Sequence, residues 1–357
     1  MISKKKVLIL QNSLMQYRVA TWNILSEKFD LSVAYYDKDR TNNPSCKFNK
    51  IHLKSKRFGS FVITSGVRRL AKHFDVVLFC DDLHVPSYCM LPFLPHKYRL
   101  LGWSIGFRVS YTHPYIVNRP HGLVDKIYET IIKECDAYIL YMRNAMDFWK
   151  SSNIDFSKFF VAPNTTEVLP INIDKSKKKD IIFIGSLYRG KGVDLLIKAF
   201  HKARISTQTD ARLIIIGGGE MTEELKNLSM ELGIDKAVVF TGPIYNENEI
   251  ASYFEKSILC VSPTQGGLSC PKSMGYGVPF VTKRNAITGG EIYHITNGVN
   301  GIFYDNDEEL SRIIEDALKD NDKYFEMGRK AQEYYCENAT PRHMANGIIE
   351  AIDFVLS

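Results

Sequence analysis

At 357 residues, with 45% hydrophobic and 12% aromatic content, the chain exceeds one ordinary core and is apolar enough to build two. Its formal charge of +6 suits an anionic ligand, a membrane surface or a merely solvated exterior, and no nucleic-acid partner is expected. Seven cysteines form neither a CxxC pair nor a Cys/His cluster, so the sequence points to reduced thiols in a cytoplasmic setting, with no metal and no cofactor.

No secretory leader is expected, because the apolar run after Ser3-Lys4-Lys5-Lys6 is only Val7 to Leu10 and reads as a first strand. No apolar run is long enough to cross a bilayer. In order, strands are predicted at Lys6–Leu10, Leu31–Tyr36, Val76–Cys80, Leu100–Trp103, Ala137–Tyr141 and Phe159–Ala162. Helices are predicted at Val19–Phe29, Arg68–Phe74, Leu123–Cys135 and Arg143–Lys150. Strands separated by helices indicate parallel βαβ units.

A composition shift follows. Pro163-Asn164-Thr165-Thr166 and the Lys/Ser-rich run Asp174–Lys179 read as a linker or a long surface loop. The pattern then restarts, with strands at Ile181–Ile184, Leu213–Ile216, Val238–Phe240, Ile258–Val261 and near Gly301–Phe303. Helices are predicted at Val193–Arg204, Glu223–Leu232, Glu247–Lys256 and Glu308–Leu318. The expected fold class is α/β, with two Rossmann-like domains facing across a cleft. Their expected boundaries are 1–168 and 169–340, with a C-terminal helix over 341–357.

The stretch Ser262–Val281 (SPTQGGLSCPKSMGYGVPFV) reads as strand, loop, short helix, strand. In an open parallel sheet, ligands sit beyond the carboxyl ends of strands. Gly266 and Gly267 allow close approach, and the amides opening the next helix favour anions, although an ordinary strand-to-helix turn reads equally well. Three more segments have this placement. Gly185-Ser186-Leu187-Tyr188-Arg189-Gly190-Lys191-Gly192 sets two cations in a glycine-flanked loop suited to a diphosphate, or to a basic surface turn. Gly217-Gly218-Gly219-Glu220 is a close-approach loop or a tight turn. Gly289-Gly290-Glu291 offers an anion-binding nest and a carboxylate for a hydroxyl or a helix end.

Taken in order, these segments resemble the retaining nucleotide-sugar glycosyltransferases of family 4, which have the GT-B fold. The resemblance spans roughly Asp180–Leu318. Before it, only YRVATWNIL and LLGWSIGFR are suggestive; after it, Pro341–Leu356 is similar to the family helix that returns to the first domain. The resemblance implies that Lys191 binds the donor diphosphate, with Arg189 in place of the basic residue that Ser186 replaces. It also assigns Gly185, Gly218, Gly219, Gln265, Gly266, Gly267 and Leu268 to the donor site. Two positions depart from the pattern. The family's Glu pair, eight residues apart, is Thr264 and Lys272 here, and Lys272 is free to contact phosphate instead. Glu291 matches a family Glu, although Gly290 replaces the preceding Pro.

The implied reaction moves a sugar from a nucleotide-diphosphate sugar to a glycan or a polyprenyl-diphosphate-linked glycan acceptor, with retention and without metal. Lys191, Arg189 and Glu291 are its candidate catalytic groups. Tyr17, Arg18, Trp103, Gly106 and His113 are candidates for the acceptor side, with a structural role also open to His113. The cations Arg68, Arg69 and Lys72, with the run Lys54–Phe58, suit peripheral contact with an anionic inner membrane face, or equally a solvated surface. Two other readings stay open: a nucleotide-sugar epimerase of the same fold, and a module that binds nucleotide sugar without turnover.

Overall fold

The computed structural model describes residues 4–41, 45–110 and 115–357. The chain divides into two compact units. The first comprises 1–109, 116–166 and 340–357; the second comprises 110–115 and 167–339.

Unit 1 is built on seven parallel strands: β1 (Lys6–Gln11), β2 (Asp30–Tyr35), β3 (Asn49–His52), β4 (Val76–Cys80), β5 (Arg99–Ser104), β6 (Ala137–Leu140) and β7 (Phe159–Val161). Their order across the sheet is β7-β6-β5-β4-β1-β2-β3. Apart from the polar edge strand β3, the strands are largely apolar runs because both faces are covered. On one face lie α1 (Val19–Lys28) and, from the far end of the chain, α9 (Pro341–Leu356). Met344, Ala345, Ile348, Ala351 and Ile352 of α9 share a single core cluster with Trp22 and Leu25 of α1. Gly347 permits this, since a Cβ there would lie 2.0 Å from the Val161 carbonyl oxygen. Thr340 caps α9 and Pro341 opens it, which fixes where the helix begins. The other long helix of the unit is α2 (Leu123–Glu134).

Unit 2 repeats the scheme with β8 (Asp180–Ile184), β9 (Leu213–Ile216), β10 (Val238–Gly242), β11 (Ser257–Val261), β12 (Phe280–Lys283) and β13 (Gly301–Tyr304). The order is β10-β9-β8-β11-β12-β13, all parallel. Its helices are α3 (Val193–Thr207), α4 (Thr222–Glu231), α5 (Glu247–Phe254), α6 (Ser269–Gly275), α7 (Asp307–Lys319) and α8 (Asn321–Asn338).

Three features differ from the sequence expectations. Residues 143–150 form only a short helix, Ala145–Phe148. The basic run after Leu53 forms an antiparallel hairpin, Ser55–Phe58 with Phe61–Thr64. α8 was not anticipated, because its sequence is strongly polar. It buries a narrow stripe of Tyr324, Met327, Gly328, Ala331 and Tyr335, and Gly328 lets it cross within touching distance of the Gly277 carbonyl.

Candidate active site

In unit 2 the strand order reverses between β8 and β11. That reversal is where an open parallel sheet leaves a crevice outside its carboxyl ends. Two loops leave the sheet there, 185–192 after β8 and 262–268 after β11. The glycines of the loop after β9 are explained by packing. A Cβ on Gly217 would stand 1.8 Å from the Gly185 carbonyl oxygen, and one on Gly219 would stand 2.2 Å from that of Leu187. Leu187 N–H donates to the Gly218 carbonyl at 3.0 Å. Gly218 and Gly219 therefore brace the β8 loop from behind.

Lys191 closes the β8 loop, just before Gly192 takes the left-handed conformation (φ +64°) that starts α3. Its ammonium lies 5.7 Å from the centre of the Tyr188 ring. Burial holds its pKa below the ordinary lysine value, and the nearby charge of Glu291 partly offsets that effect. Tyr188 OH donates to Gln265 Oε1, and Thr264 Oγ1 donates to the Gly190 carbonyl. These two bonds tie the β8 and β11 loops together. They also leave Gln265 Nε2 with no hydrogen-bond partner among the described residues, although Gln265 is only 6% exposed. A buried donor without a partner is met by water or by a ligand, so this nitrogen is a candidate ligand contact. A Cβ on Gly190 would come 3.4 Å from that nitrogen, so the donor lies against the Lys191 loop.

Arg189 and Ser186 are placed differently. Ser186 is exposed. The Arg189 side chain is 80% exposed and its guanidinium pairs with Glu224 of α4 at 3.4 Å. Arg189 therefore does not join Lys191 in a common cationic pocket.

Glu291 is 5% exposed and follows Gly290, which is left-handed at φ +114°. Its Oε2 accepts from Gly289 N–H at 2.9 Å and from Thr288 Oγ1 at 3.1 Å. Gly290 N–H donates to Thr288 Oγ1 at 3.0 Å. The predicted nest at Gly289-Gly290 is thus filled by the chain's own groups, and its product is a fixed carboxylate rather than a free anion site. Gly266 is also a packing glycine, since a Cβ would stand 2.0 Å from Ile292 Cγ2. Gly267 has open space around the position of its missing Cβ, and Leu268 caps α6. Lys272 does not face outward as a spare cation. Its side chain is 12% exposed and its Nζ donates to both carboxylate oxygens of Glu247 at 2.7 Å. Tyr188 and Glu247 were missed in the sequence because their partners, Gln265 and Lys272, lie far along the chain; Thr288 was missed although its partner Glu291 is only three residues on. Among the described residues no group of three or more His, Cys, Asp or Glu could hold a metal ion.

In unit 1 three of the expected acceptor residues, Tyr17, Arg18 and Trp103, lie together. Arg18 and Trp103, at 4% and 2% exposure, are core members rather than surface groups. The Arg18 guanidinium lies 5.0 Å from the Trp103 ring, and it donates to Asn164 Oδ1 at 2.6 Å and to Tyr141 OH at 3.1 Å. Cation–π contact and these hydrogen bonds replace the water it has lost. Gly106 is a buried turn at φ +108° whose carbonyl accepts from Trp149 Nε1 at 2.7 Å. Tyr17 is the half-exposed member, stacked beside Arg18. His113 lies outside the described residues.

Residues 160–334 match the family model described as glycosyl transferases group 1. An uncharacterized glycosyltransferase of Haemophilus influenzae is 28% identical over 280 residues, covering 76% of this chain and 75% of the relative. The N-acetylgalactosamine-N,N'-diacetylbacillosaminyl-diphospho-undecaprenol 4-alpha-N-acetylgalactosaminyltransferase of Campylobacter jejuni is 25% identical over 196 residues, 44% of this chain and 52% of the relative. Among solved structures, that of HepE from Anabaena in complex with UDP and glucose is similar in fold. Its TM-score is 0.69, over 98% of this chain and 99% of that one, at 15% identity. Two Rossmann-like units in this order have the GT-B fold, and residues 160–334 are similar to the glycosyl transferases group 1 family.

Proposed function

We propose that the protein is a retaining glycosyltransferase that moves a sugar from a nucleotide-diphosphate sugar to a glycan or polyprenyl-diphosphate-linked glycan acceptor. The observation that carries this reading is that a half-buried Lys191 and the buried amide donor Gln265 Nε2 lie on the two loops tied together at the switch point of unit 2. A diphosphate satisfies both: its charge suits the ammonium, and its oxygens accept from the amide. In the reaction, the bond between the sugar's anomeric carbon and the β-phosphate oxygen breaks, and its electron pair leaves with the phosphate. The acceptor hydroxyl oxygen bonds to that carbon on the same face and passes its proton to the departing phosphate. Lys191 stabilises the charge growing on the leaving group, and we assign Glu291, held by Thr288 and Gly289, to a sugar hydroxyl. Neither a protein nucleophile nor a divalent ion is required.

The Campylobacter relative's name specifies a diphospho-undecaprenol acceptor, and a surface feature of unit 1 fits a lipid-linked substrate. In the hairpin register, Lys56 opposes Ile63 and Phe58 opposes Phe61. Those two pairs share one face of the ribbon, because side chains alternate along a strand. Phe58, Phe61 and Ile63 are 58%, 48% and 48% exposed, while Val62 and Thr64 on the other face are buried. With Lys56 on the same face, we propose that this face rests on anionic lipid at the inner face of the cell membrane.

The test is turnover of labelled nucleotide sugars with polyprenyl-diphosphate-linked glycans, with a chelator present, and the anomeric configuration of the product read by NMR. Transfer with retention, reduced about a hundredfold or more by Lys191→Ala in a folded protein, is the expected result. Release of free epimerised sugar would assign an epimerase. Binding without any turnover would leave a non-catalytic module.

A further inference from the structure

A nucleotide held by a Rossmann-like sheet needs an acceptor for its ribose hydroxyls, and a carboxylate is the usual group. Lys272 occupies the position where the resemblance leads one to expect that carboxylate, and an ammonium has no lone pair to offer. The structure shows what Lys272 does instead. One helical turn beyond Leu268, it holds the carboxylate of Glu247 with both oxygens at 2.7 Å. Tyr276 OH, next after α6, donates to Glu247 Oε2 at 3.2 Å. Tyr276 is itself fixed by stacking on Phe254 of α5, with ring centres 4.7 Å apart. Asn246 sets the backbone, its side chain accepting from Asn248 N–H at 2.9 Å to begin α5 at Glu247.

The exposures decide which partner faces a ligand. The Lys272 side chain is 12% exposed and that of Glu247 is 40% exposed. The cation is therefore the support and the carboxylate is the presented group. Glu247 opens the helix that follows β10, and α6 follows β11, so both stand at the carboxyl edge of the sheet. Oε2 accepts from both Lys272 and Tyr276, whereas Oε1 accepts from the ammonium alone and keeps a lone pair. That lone pair suits one hydroxyl donor of a ribose.

We infer that Glu247, through Oε1, binds a ribose hydroxyl of the donor nucleotide, with Lys272 and Tyr276 as its positioning residues. The carboxylate lost from α6 is thereby supplied by α5. This rests on the nucleotide-sugar reading above.

The experiment is calorimetric titration of UDP and GDP, each beside its 2′-deoxy and 2′,3′-dideoxy form, into the full-length protein. Wild type is expected to prefer the ribose form of its nucleotide by about tenfold or more. Glu247→Gln should lose most of that preference by weakening the ribose form, and leave the dideoxy form bound as before. Lys272→Met, which frees the carboxylate to move, should also narrow the preference, and Glu247→Asp should fall between. Circular dichroism and thermal melts establish that each variant is folded. If wild type binds a nucleotide but Glu247→Gln and Glu247→Asp both keep its ribose preference, or weaken all forms by one factor, Glu247 is only a structural partner of Lys272 and the inference is overturned. If wild type binds no nucleoside diphosphate at all, the underlying donor-site reading fails instead.

Discussion

At the residue scale, the sequence identified positions more reliably than reasons. Lys191 was legible as a cation in a glycine-flanked strand-to-helix loop, and it stands at the switch point. Several glycines near it were read as ligand-contact positions. The structure gives Gly219 and Gly266 to close contact with Leu187 and Ile292, a use that no local pattern reveals because the partner is distant in the chain. Arg189 and Lys272 show the same limit, since a charge's availability depends on the carboxylate it meets, here Glu224 and Glu247. His294 adds a residue whose effect is thermodynamic. It is 3% exposed, its Nδ1 lies 3.2 Å from Tyr334 OH of α8, and burial depresses its pKa from 6.5 to about 4. The unfolded chain then binds the proton more readily than the folded one between those values. The stability associated with neutral His294 is complete above pH 6.5 and is lost as pH falls toward 4. Urea unfolding at pH 7 and pH 5 should show a larger fall in midpoint for wild type than for a folded His294→Phe variant. Equal falls would contradict the assignment.

At the element scale, long apolar strands were legible because parallel sheets bury both faces, as in β1, β4, β8 and β11. Elements that bury little were not. The hairpin at 55–64 reads as a charged run with two phenylalanines, and only its register shows that Phe58, Phe61 and Ile63 share an open face. α8 escaped notice because its buried stripe uses tyrosine, alanine and glycine rather than leucine or valine. The hairpin carries a direct prediction. Sedimentation with vesicles of anionic lipid should pull down the wild-type protein, and Phe58→Ser with Phe61→Ser should release most of it without altering nucleotide affinity in solution. Undiminished binding by the double variant, or equal binding to neutral vesicles, would contradict membrane contact through this face.

At the scale of the whole molecule, the restart of the strand–helix pattern after the 163–179 stretch made two α/β halves legible. The strand order did not follow from the sequence. It comes from crossover connections, and it decides the site by placing the reversal between β8 and β11, so that the 185–192 and 262–268 loops meet. The chain's last helix lies in unit 1, joined to α1 through the Lys28–Asp353 ion pair and a shared core. The central claim concerns unit 2: Lys191 and the loops bound to it grip the diphosphate of a nucleotide sugar. Isothermal titration of UDP- and GDP-sugars into wild type and Lys191→Ala tests it most directly. Saturable binding of at least one nucleotide sugar, weakened about tenfold or more in the folded variant, is the predicted result. Binding unchanged by Lys191→Ala, or no binding of any nucleotide sugar to wild type, would contradict it.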